Sequence, residues 1–71
     1  MIRLTRINDS LVVINAEMIE LLEQSPDTIV TMTTGHKIFV KESVDDVIER
    51  VKEYKRSILN NPITNRTDGK R

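Results

Sequence analysis

The 71-residue chain has no cysteine, so neither a disulfide framework nor a thiolate metal site is open to it. It has one histidine, His36, which directly follows a glycine in what reads as a hairpin tip, the usual place for a plain turn residue. Glycine is scarce as well. Gly35 stands alone, whereas a phosphate-cradling loop needs several glycines before a helix N-terminus. Zinc spacing, a Walker sequence and G-x-S-x-G are all missing. No apolar run approaches the roughly 18 residues that span a bilayer. Arg3 and Arg6 interrupt the stretch that would be apolar in a signal peptide, so no export signal is read. Net charge is also lacking: eleven basic residues balance eleven acidic ones. They are interspersed, apart from clusters at Lys52–Arg56 and near the C-terminus, whereas a nucleic-acid binder usually shows a basic face.

These gaps bear on function. Catalysis needs a nucleophile, a tuned acid or base, or a metal. Glu17, Glu20 and Glu23 repeat at three-residue spacing. As a helix they would make one solvated face, and as strand and turn they scatter, so neither arrangement makes a buried carboxylate pair. The expectation is a protein without enzymatic activity, cofactor or metal. The absence of cysteine fits a reducing compartment, and the cytoplasm is the expected location.

What is present reads as paired strands followed by a helix. Ile2 to Ile7 alternates, with Ile2 and Leu4 on one side, and predicts a half-buried strand. Asn8-Asp9-Ser10 is turn chemistry. Leu11 to Ile14 is continuous and β-branched, which predicts a strand covered on both faces. Asn15 to Gln24 is ambiguous: Asn15 suits an N-cap and Ala16-Glu17-Met18 a helical turn, while Ile19 to Glu23 fits either helix or strand. The strand is preferred, because Ser25-Pro26-Asp27-Thr28 suggests a type I turn with proline second, and such a turn most simply joins antiparallel strands.

Thr28 to Thr34 is rich in Thr, Ile and Val, with Val30 and Met32 on one face and Ile29 on the other. Gly35 offers the positive φ of a short hairpin. In Lys37 to Lys41, Ile38 and Val40 share a side and Phe39 lies opposite, between two lysines. Core or helix-facing packing is the plainer reading of Phe39, and a partner-facing anchor the sharper one. Ser43 predicts a helix N-cap, with Asp46 placed to complete a capping box and to pair with Arg50. Val44, Val47, Ile48, Val51, Tyr54 and Ile58 form an apolar stripe to Leu59. Pro62 ends the helix, and 60–71 is expected to be a flexible tail.

The expected fold is therefore α+β: one domain over 1–59, a small antiparallel meander of about five strands, curled or barrel-like, then one C-terminal α-helix. So short a chain has little burial to set against the entropy of ordering it. Several strands carry apolar residues on both faces, and one helix covers only one face of a sheet. Self-association into a homo-oligomer is the expected source of further burial.

Several segments resemble the small flagellar FlbD/SwrD family. They are I-R-L-T-R-I-N at Ile2 to Asn8, V-I-N-A-E-M-I-E at Val13 to Glu20, P-D-T-I-V-T-M-T-T-G-H-K at Pro26 to Lys37 and V-K-E-S-V-D-D-V at Val40 to Val47. Asn8-Asp9 stands where the family often has Asn-Gly. The resemblance implies a non-enzymatic protein of flagellar and swarming motility, cytoplasmic and at the flagellar base. It further implies an adaptor that supports motor power on or near the MotA/MotB stator, touching the membrane only through the motor. Ile29, Met32, Phe39, Tyr54 and Lys55 are the expected partner-facing residues. The alternative is a small nucleic-acid-binding regulator of flagellar genes, since the strand–strand–helix ending distantly resembles that of LytTR-type domains.

Overall fold

The computed structural model describes residues 1–59. The expected tail at 60–71 lies outside the described residues. Five antiparallel strands precede one helix, so the α+β architecture is as the sequence predicts. Strands β1 (Ile2–Thr5) and β2 (Leu11–Ile14) pair with Ile2 opposite Ile14 and Leu4 opposite Val12. Their turn closes locally. The Asn8 side-chain oxygen accepts from the Ser10 N–H (3.0 Å), and Asp9 takes φ 73°, a region that Asp tolerates better than most residues.

One expectation fails at β2. Ile14 is buried and Val12 packs against the core, but Leu11 is 65% exposed and Val13 is exposed too. The strand is covered on one face only, because no element of the described chain lies over the other.

The ambiguous segment divides as preferred. Asn15 caps a single 3₁₀ turn over Ala16–Met18, accepting the Glu17 N–H at 3.0 Å. β3 (Ile19–Gln24) then pairs with β4 (Thr28–Met32), with an irregularity between Ile19 and Leu21. The β3–β4 connection runs through Ser25–Pro26–Asp27, where the Ser25 N–H donates to the Asp27 carbonyl at 3.1 Å and the Ser25–Pro26 peptide is cis. β4 pairs in turn with β5 (Lys37–Val40) around Gly35, whose φ of +94° is the left-handed value glycine adopts freely.

The five strands fall into two sheets, β1–β2 and β3–β4–β5, joined by one bridge between Arg6 and Val40. Backbone bonds flank that bridge: Ile7 N–H to the Phe39 carbonyl (3.2 Å) and Lys41 N–H to the Thr5 carbonyl (2.8 Å). No ladder joins β2 to β3 among the described residues, so the sheets do not close through that pair.

Helix α1 (Val44–Leu59) closes the inner side. Ser43 caps it through Oγ, which accepts the Asp46 N–H at 3.1 Å. The Asp46 carboxylate does not return the capping-box bond. Arg50 holds it instead, at 3.2 and 3.3 Å, which is the predicted i,i+4 pair. Val47 is wholly buried with Leu4, Val30 and Val40, and Val51 and Tyr54 pack around them. Ile48 and Ile58, at the margins of the predicted stripe, remain exposed.

Candidate functional site

Alternation decides which side chains the sheet turns outward. Val30, Ile38 and Val40 face α1 and the core, so their neighbours Ile29 and Phe39 face away. The register sets Ile29 directly between Glu23 and Phe39, in one cross-strand row. Ile7 extends that row beside Phe39 through the Ile7 N–H bond to the Phe39 carbonyl. The adjacent row is Leu21–Thr31–Lys37. Phe39 is 42% exposed and Leu21 50%, so the outer face presents apolar groups to solvent, while Ile29 is half-buried and Thr31 buried between their neighbours. Core or helix-facing packing of Phe39 is thereby corrected: it stands on the sheet face opposite the helix, flanked by Lys37 and Lys41. Lys41 is ion-paired with Asp9.

The five expected partner-facing residues do not share one surface. Ile29 and Phe39 are cross-strand neighbours on the outer face. Met32 points inward, opposite Ile19, and packs against the core. Tyr54 packs on the core beside a shallow groove formed with Met1, Ile2 and Arg50. Lys55 lies toward the opposite flank of α1, where its Nζ meets a Glu17 carboxylate oxygen at 3.4 Å.

Sequence reasoning missed Glu42. The chain leaves β5 just before it, and its two carboxylate oxygens accept the Thr5 N–H at 2.9 and 3.1 Å. The carboxylate thus occupies the place of a ladder carbonyl at the joint between the sheets. Its side chain is only 11% exposed. Burial pushes its pKa up, but the Thr5 N–H, its own backbone N–H and the Arg50 guanidinium, with Nη2 at 3.9 Å, outweigh that and hold the carboxyl below its ordinary value. Arg50 also donates to the Arg3 carbonyl at 2.6 Å, tying α1 to β1. Glu42 and Thr5 lie 37 positions apart, and no local pattern announces such a pair.

The His36 Nδ1 shares a 2.9 Å hydrogen bond with Thr34 Oγ1 in the exposed hairpin tip. Among the described residues no three His, Asp or Glu side chains cluster to hold a metal ion. No helix among them is long and apolar enough to cross a membrane.

Fold and surface together define a small α+β scaffold, two antiparallel sheets backed by one helix, with apolar side chains on the face away from it. The family model for flagellar and swarming motility proteins, FlbD, matches residues 1–59, and the chain belongs to that family. Neither a curated protein nor a solved structure matches it.

Proposed function

We propose that this flagellar and swarming motility protein works by contact, as a non-enzymatic adaptor on or near the stator at the cytoplasmic side of the motor. The observation that carries this reading is the outward-facing Ile7–Phe39–Ile29 row, with Ile7 and Phe39 exposed and Ile29 half-buried, in a chain of a motility family. An apolar row bordered by Lys37, Glu23 and the Lys41–Asp9 pair suits a protein partner. The interspersed charge gives nucleic acid no comparable footing.

The test is recovery of stator proteins by the tagged chain, comparing wild type with Phe39→Asp and Ile29→Asp. Loss of recovery together with loss of swarming, in variants that keep their thermal transition, supports the reading. Undiminished recovery in both variants removes this face from it. Light scattering separates the two covers proposed for the face. A stable multimer that Phe39→Asp dissolves assigns the row to a second copy, and a monomer leaves it free for the motor. A salt-sensitive gel shift with nucleic acid would favour the regulator instead.

A further inference from the structure

The free edge of β2 is unlike the free edge of β3. Each strand pairs on one side only among the described residues, β2 with β1 and β3 with β4. An unpaired edge invites another chain, and natural sheets blunt it with charge, proline or a bulge. β3 carries such devices: Glu20 and Glu23 are exposed, and the ladder shifts between Ile19 and Leu21. β2 reads Leu11-Val12-Val13-Ile14 and has no charge, proline or bulge. On it Leu11 is 65% exposed and Val13 51%.

The phase of the β1–β2 ladder shows what this edge offers. The Thr5 N–H goes to the Glu42 carboxylate and the Thr5 carbonyl accepts the Lys41 N–H, so both groups point away from β2. Leu11 lies opposite Thr5, in a pair that exchanges no bonds, and its own N–H and C=O therefore point away from β1. Alternation turns the Val13 groups the same way. No backbone bond satisfies any of them among the described residues.

A two-fold axis through Val12 fits these groups to each other. Antiparallel pairing then sets Leu11 of one copy opposite Val13 of the other, and these are the residues whose N–H and C=O face outward. On the outer face the row runs Arg3–Val13–Leu11–Thr5 across the seam, so apolar meets apolar and the two Arg3 side chains fall in different rows. On the inner face Val12 meets its own counterpart, with Leu4 beside it. The same operation on β3 would bring the Glu20 and Glu23 carboxylates of both copies together. A charged strand laid on β2 would set its charge against an apolar side chain, whereas a second copy sets none there.

We propose that two copies of this chain associate through β2, antiparallel about Val12, joining their β1–β2 ribbons into one continuous sheet. Strands of four residues make a small contact, so the dimer exchanges with monomer. The proposal goes beyond the motor reading and leaves the Phe39 row free for it.

The test follows the full chain by sedimentation velocity and amide NMR across a concentration series. A monomer–dimer equilibrium is expected, with slower exchange of the Leu11 and Val13 amides at high concentration. Val13→Lys and Leu11→Glu should each weaken association about tenfold, since two cross-strand pairs are lost. Both positions are exposed in the single copy, so the variants keep the fold. Mixed together, the two variants should associate again, because the register brings position 13 of one copy beside position 11 of the other. Glu20→Lys, on the far edge, should change nothing. The proposal is overturned by a monomer at every concentration reached, by association that Val13→Lys leaves intact or that Phe39→Asp abolishes, or by variants that fail to rescue each other. Protection of these amides only when a stator protein is added would assign the edge to another chain and overturn it equally. Stator recovery decides the motor reading separately, whichever way these outcomes fall.

Discussion

Glu42 shows how one side chain can stand in for a stretch of backbone. Its carboxylate satisfies the Thr5 N–H where β5 ends, so removing its charge weakens a partly buried, charge-assisted bond. Glu42→Gln is expected to cost about 1–2 kcal/mol at neutral pH, measured by urea unfolding. The folded protein holds this carboxyl below its ordinary pKa of 4.5. The stabilisation is therefore complete above that value and is lost as pH falls through the lower, folded one. The gap between wild type and Glu42→Gln should close as the solution is acidified below 4.5. Thr31 behaves in the opposite sense. It is 9% exposed, and its Oγ1 is buried without a hydrogen-bond partner. Thr31→Val keeps the shape and removes the orphaned hydroxyl, so a gain of about 1 kcal/mol is expected in the same unfolding assay.

At the scale of elements, local signals were strong wherever one residue type has one physical job. Ser43 caps α1, Gly35 turns the β4–β5 hairpin, and the spacing of Val47, Val51 and Tyr54 sets the helix against the sheet. Ser43→Ala should cost about 1 kcal/mol, read as a lower thermal midpoint with unchanged sheet content. The segment 15–24 was legible only through its neighbours: its residues favour helix, but the hairpin that follows needs a strand there. What stayed hidden depends on a second layer. The run Leu11 to Ile14 reports that its residues are apolar, but not whether anything covers them. Alternation likewise put Phe39 opposite Ile38 and Val40 without showing which side the helix would take. Glu42 was illegible for a further reason, since its meaning lies in a strand near the other end of the fold. Of the five residues expected to face a partner, only Ile29 and Phe39 are cross-strand neighbours on the outer face. Met32, Tyr54 and Lys55 are separated from them by the sheet itself.

For the whole molecule, the joint between the two sheets matters most. The β1–β2 hairpin meets the other three strands through one bridge, reinforced by Glu42 and by the Arg50 bond to Arg3. Two strands alone are marginal in water, whereas three strands with an apolar face under a helix can hold together. The two halves should therefore open at different rates. Deuterium uptake should run ahead in residues 2–14 and lag in 28–40, and Glu42→Gln should hasten the first without changing the second. Uniform uptake across both blocks would mean that the seam transmits as much cohesion as the strands it joins. If the blocks do separate, the N-terminal ribbon is the part this protein lets go first, and Glu42 is the latch that decides when.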